Sequence, residues 1–155
     1  MDFAVEQRYG ASPLQVIELY ADPAFHASLG AGPHIGPPEV LDHTVDGRLV
    51  LLDIRYRFTA DLPSAARRFV EPDRLTWVEH LRIDLDALTT TSKMEPDHYA
   101  SLMAASARSE YLSDPAGRAH IEQLAAVRAA AAGTQVSLEE AALDLLGGSH
   151  DVIVA

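Results

Sequence analysis

Cysteine is absent from the 155 residues, which excludes disulfides, thiolate nucleophiles and cysteine metal ligands. Positive charge is scarce. Twelve lysines and arginines stand against 23 aspartates and glutamates, for a formal net charge of −11. Such a surface repels phosphate backbones and anionic lipid on average, and Arg67-Arg68 is the only adjacent basic pair, so no nucleic-acid partner is expected. Nowhere do about eighteen apolar residues run together, so no membrane span is expected. The opening "MDFAVEQRYG" has no apolar signal core, and a cytoplasmic protein is the plain expectation. The length and the 48% hydrophobic content suit a single globular domain over residues 1–155.

Motifs with a defined chemistry are also lacking. The seven histidines, at positions 26, 34, 43, 80, 98, 120 and 150, form neither a helical i,i+4 pair nor a short His-x-His, so no metal site is expected. "GAGPHIG" misses the dinucleotide spacing, and Pro33, Pro37 and Pro38 remove the amides and the helix that would hold a phosphate. Ser12, Ser64 and Ser113 have no nucleophile-elbow context. No cofactor is implied.

What is present is alternation. Asp2 to Tyr9 sets Phe3, Val5, Gln7 and Tyr9 against Ala4, Glu6 and Arg8, a strand pattern. Ser12-Pro13 opens an amphipathic helix over "SPLQVIELY". Asp22-Pro23 opens a second, short one that Gly30 ends. "EVLDHTVDGRLVLLDIRYRFT" reads as a hairpin turning at Asp46-Gly47. In its second arm Val50, Leu52, Ile54, Tyr56 and Phe58 face one way, and Asp53, Arg55, Arg57 and Thr59 the other. "DLPSAARRFVEPD" is a short turn or helix. Residues 74–85 form another strand, antiparallel to 48–58, with both apolar rows facing one interior. "LTTTSKME" adds a further strand.

Beyond His98 the reading divides. "HYASLMAASARSEYL" is compatible with helix or with a weakly patterned strand. Asp114-Pro115 reads as a helix start leading into "RAHIEQLAAVRAAAAG", and Ser137 with Glu140 forms a capping box for "LEEAALDLLGG". "HDVIVA" suits a last short strand. Residues 98–148 are thus expected to be an alanine-rich helical part. Two apolar stripes, Leu138, Ala142, Leu145 and Leu146, and the thinner Ile121, Leu124 and Arg128, would cover the core or dock a second subunit as a homodimer.

A strand, two short helices, a glycine–proline crossover and a meander of antiparallel strands resemble the helix-grip fold of the START-like (SRPBCC) superfamily, and in particular an uncharacterised bacterial branch of it. "MDFAVEQRY", "ADPAFHASLG" and "PPEVLDHTVDGRLVLLDIRYRFTADLPSAARRFVEPDRLTWVEHLRID" carry the resemblance, which covers roughly residues 1–97. It implies an α+β fold, a curved antiparallel sheet gripping carboxy-terminal helices with an apolar cavity between. Members bind lipids, sterols, polyketides or other hydrophobic molecules, and some catalyse cyclisation or dehydration. The helical reading of residues 98–148 departs from that pattern and implies a truncated sheet.

Within "RLTWVEHLRIDLD" the apolar row Leu75, Trp77, Leu81, Ile83 and Leu85 is interrupted by Glu79. A carboxylate pointing into a cavity would anchor a ligand hydroxyl or act as acid or base, its pKa raised by desolvation. Alternatively, a bend carries it to a rim, or it meets a buried arginine or a tyrosine hydroxyl. His80 lies on the opposite side of the strand. The expected ligand-binding walls are Val50, Leu52, Ile54, Tyr56, Phe58, Trp77, Leu81 and Ile83, with Glu79 as the polar anchor. The expected function is binding of a small hydrophobic or lipid-like molecule. The alternatives are a cyclase or dehydratase using Glu79, and a protein–protein interaction module acting through the carboxy-terminal helices.

Overall fold

A computed structural model describes residues 2–101 and 103–129. Alternating patterns become strands wherever both backbone edges find partners. Among the described residues seven strands form: β1 (Asp2–Arg8), β2 (Glu39–Asp46), β3 (Leu49–Arg57), β4 (Thr76–Asp84), β5 (Thr89–Pro96), β6 (Met103–Ser113) and β7 (Ala119–Ala129). They form one antiparallel sheet in the order β1-β7-β6-β5-β4-β3-β2. The β2–β3 hairpin turns at Asp46-Gly47 as read from the sequence, with Gly47 in the left-handed region at φ 59°, where a side chain would be strained.

Two helices follow β1. Helix α1 (Pro13–Ala21) has Ser12 as N-cap, and Ser12 and Gln15 cap each other reciprocally. Helix α2 (Pro23–Ser28) is capped by the Asp22 side chain, which accepts from the Ala24 amide at 2.9 Å, and it ends at Leu29. Helix α1 packs against β3, β6 and β7. Because β4 and β5 lie between β3 and β6, one helix can touch both only if the sheet curls around it. The sheet is therefore concave toward α1, and that face carries the core: Val50, Leu52, Ile54 and Tyr56 of β3, Trp77 and Ile83 of β4, Tyr111 of β6 and Ile121 of β7 are all buried.

The helical, truncated reading of the second half is overturned where the structure describes it. Residues 103–113 and 119–129 are strands, and they continue the sheet from β5 round to β1. Alanine favours helix intrinsically, but each of these strands has a hydrogen-bonded neighbour on both sides, and that pairing outweighs the propensity. Asp114-Pro115 opens a hairpin turn, not a helix. The Asp114 carboxylate accepts from the amides of Ala116 and Arg118 at 2.9 and 2.8 Å, and Gly117 takes φ 78°. Aspartate caps turns and helix starts by the same hydrogen bond, which is why the local sequence misleads. Ile121 then faces the core while Leu124 is 66% exposed, so the stripe read through them is not a face. The Ser137–Glu140 capping box, the Leu138–Leu146 stripe and "HDVIVA" lie outside the described residues.

Trp77 is 3% exposed and stacks on Tyr56, its register partner across β3–β4, with ring centroids 6.0 Å apart. Trp77→Ala is expected to cost about 3–5 kcal/mol in chemical denaturation, because the vacated ring volume is enclosed by core. A loss under about 1 kcal/mol would place the ring at an open wall.

Candidate functional site

The register sorts the nine residues expected at the site. Val50 opposes Ile83, Leu52 opposes Leu81, Ile54 opposes Glu79 and Tyr56 opposes Trp77, so eight share the concave face of two adjacent strands. Phe58 lies beyond β3, bridged to Ile35 and donating its amide to the Leu75 carbonyl at 2.9 Å, at the closed end of the core. Burial then divides them. Val50, Leu52, Ile54, Tyr56, Phe58, Trp77 and Ile83 are at most 5% exposed and serve as packed core. Leu81 is partly open.

The opening continues onto strands that sequence reading did not include. Ser92 and Met94 of β5 and Ala105 and Ala107 of β6 follow Leu81 and Glu79 in register across the concave face, and all four are partly exposed. Three of the four, Ser92, Ala105 and Ala107, are small, so the face is lower here than at its flanks of leucine, isoleucine and tryptophan. The sequence signal was weak: the inner positions of "MAASARS" are Met103, Ala105, Ala107 and Ser109, which differ little in hydrophobicity from the outer Ala104 and Ser106.

Glu79 stands at the edge of this hollow. It is 8% exposed, and the hydroxyls of Ser92 and Tyr56 hydrogen-bond to its carboxyl group. Of the expected alternatives to a free anchor, the tyrosine hydroxyl is met. No bend carries Glu79 to a rim, and its hydrogen-bond partners are hydroxyls, one of them a tyrosine. Desolvation outweighs the two hydrogen bonds and raises its pKa from 4.5 to about 7. Tyr56 is pushed well above 10 by burial first and by the neighbouring carboxylate second, so it stays a neutral donor. His80 points to the other face, where its Nδ1 lies 2.7 Å from Asp53 and its Nε2 3.0 Å from Glu95. Those partners, the Asp53 hydrogen bond above all, raise the His80 pKa. Glu79 and His80 are not a working pair.

More polar groups line the concave face. Thr90, Ser109 and Gln123 are register neighbours on β5, β6 and β7, each buried, and Thr90 hydrogen-bonds Tyr111. Four of the five tyrosines, Tyr9, Tyr20, Tyr56 and Tyr111, are buried. Tyr20 interacts with the other three. On the outer face an open depression of about 400 Å³ lies over β1, β7 and β6 among Ala4, Val5, Glu6, Arg108, Glu110, Glu122, Gln123 and Leu124, three of them glutamates.

The raised pKa of Glu79 has a definite consequence for stability. Below about pH 4.5 both folded and unfolded chains carry the proton, and the residue is neutral to folding. As pH rises toward 7 the unfolded chain releases its proton first, so the fold is progressively destabilised, by about 3 kcal/mol once pH exceeds 7. Glu79→Gln is therefore expected to melt like the parent at about pH 4 and above it at about pH 8. A glutamine variant that is less stable at the higher pH would mean that a cation holds the carboxylate.

No family model and no curated protein matches the chain by sequence. Solved structures do match its fold. The protein TTHA0849 from Thermus thermophilus aligns with a TM-score of 0.66 at 13% identity, over 99% of this chain and 97% of that one. The Zhui aromatase/cyclase from a Streptomyces species aligns at 0.61 and 15% identity, covering 99% and 90%. Norcoclaurine synthase from Thalictrum flavum aligns at 0.62 and 13% identity, covering 99% and 84%. At these identities the likeness is one of fold. The curled seven-stranded antiparallel sheet with α1 and α2 across its concave side is the α+β helix-grip fold that the sequence resembles.

Proposed function

We propose that this chain binds a small, mainly apolar molecule in the hollow of the concave face, with Glu79, Ser92 and Tyr56 as its polar anchor. The observation that carries the reading is the conjunction of two features. A patch of small, partly exposed side chains lies in the middle of an otherwise packed face, and a buried carboxyl without a cationic hydrogen-bond partner stands at its edge. Pockets of this kind are mostly apolar with a few placed polar groups. A carboxyl group with a pKa near 7 can donate a hydrogen bond while protonated and accept one in either state. That two proteins of this fold are an aromatase/cyclase and a norcoclaurine synthase supports a small-molecule site over other uses of the fold.

Native mass spectrometry of freshly purified protein is expected to show a non-covalent adduct that is lost on denaturation. Glu79→Gln should retain less of it. Protein that carries no adduct and does not enhance the fluorescence of an anilinonaphthalene sulfonate probe would contradict the reading.

A second reading, acid–base catalysis by Glu79 on the bound molecule, is favoured by one observation: its pKa of about 7 keeps both protonation states populated near neutral pH. On that reading the adduct is a substrate or product, and Glu79→Gln traps it instead of releasing it.

A further inference from the structure

On the concave face two buried side-chain polar atoms lack a hydrogen-bond partner among the described residues: Trp77 Nε1, a donor inside the ring stack with Tyr56, and Gln123 Oε1, an acceptor. Ser92 is bonded to Glu79, and Thr90 to Tyr111. Gln123 of β7 is 7% exposed, its side chain falls on the same face as the buried Ile121, and its Oε1 has no hydrogen-bond partner among the described residues. A buried amide oxygen left unmatched costs more than the bond it could make, so chains rarely keep one without a use. Its register neighbours Ser109 and Thr90 are buried hydroxyl residues, so Gln123 ends a polar row that begins beside the hollow.

The spacing follows from the register. Ser92 opposes Ala107, and Ala107 opposes Ala125, two residues from Gln123. Two strand spacings and two residues along a strand separate Ser92 from Gln123 by about 12 Å. Between them the β6 positions on this face are the partly exposed Ala107 and the buried Ser109, both small side chains.

We propose that Gln123 is a second anchor, so that the molecule bound beside Glu79 is an elongated apolar body with a polar group at each end, the end at Gln123 being a hydrogen-bond donor such as a hydroxyl. This rests on the proposed binding function and narrows its ligand class. The carboxyl end accepts several chemistries, because Glu79 offers both a donor and an acceptor. The amide oxygen of Gln123 accepts only, and so it selects.

Three rigid probes of one shape test this by isothermal titration calorimetry: 4-hydroxybiphenyl, 4,4′-dihydroxybiphenyl and 4-hydroxy-4′-methoxybiphenyl. The dihydroxy compound is expected to bind the parent protein about tenfold tighter than the other two. Gln123→Met should abolish that advantage, leave 4-hydroxybiphenyl binding unchanged, and melt no lower than the parent, since it removes an unmatched buried oxygen. Gln123→Leu is the companion variant should methionine pack poorly. Equal binding of all three probes by the parent would overturn the second anchor and leave the proposed binding function standing, as would an advantage that survives both substitutions. If none of the probes binds, both fall together.

Discussion

The antiparallel register between β3, β4 and β5 is the constraint from which the site follows. With Ile54 opposite Glu79 and Glu79 opposite Met94, one carboxylate is turned to the concave side among large apolar residues. A slip of β4 by one residue would turn Glu79 to the outer face and His80 into the core, away from its two carboxylate partners on β3 and β5. The register is held by the whole alternating row of β3 and by the cross-strand stack of Tyr56 on Trp77, so the position of the charge is set by hydrophobic burial and not by any attraction of its own.

That placement decides the electrostatics. A carboxylate in a buried position needs a cation, several donors, or a proton. Here the hydrogen-bond partners are two neutral hydroxyls, and the balance falls toward the proton. The contrast with the outer face of the same strands is instructive. There Asp53, His80 and Glu95 pair across strands in contact with water, and Arg55 forks onto Asp97 with both contacts at 3.2 Å. Charges that pair lie outside. Glu79, turned inside, has no cation among its hydrogen-bond partners.

Much of this was legible in the sequence, for identifiable reasons. Residues 49–57 and 76–84 alternate with large side chains, and large side chains report burial unambiguously, so the strands, their shared interior and the oddity of Glu79 could be read directly. The caps at Ser12 and Asp22 and the turn at Gly47 are local devices and were legible for the same reason. The far half of the sheet was not. In β6 and β7 the inner positions include Ala105, Ala107, Ser109 and Gln123, whose modest hydrophobicity produces no period-two signal, and alanine carries a helical preference that only long-range pairing overrides.

The account turns on whether Glu79 holds its proton in the folded, empty protein. A carbon-detected NMR titration of the glutamate side-chain carboxyls, with Glu79→Gln identifying the resonance, measures this directly. The result predicted is a midpoint near 7 for Glu79. A midpoint at or below 4.5, the ordinary value, would mean that water or a cation reaches the carboxylate, and would contradict the account.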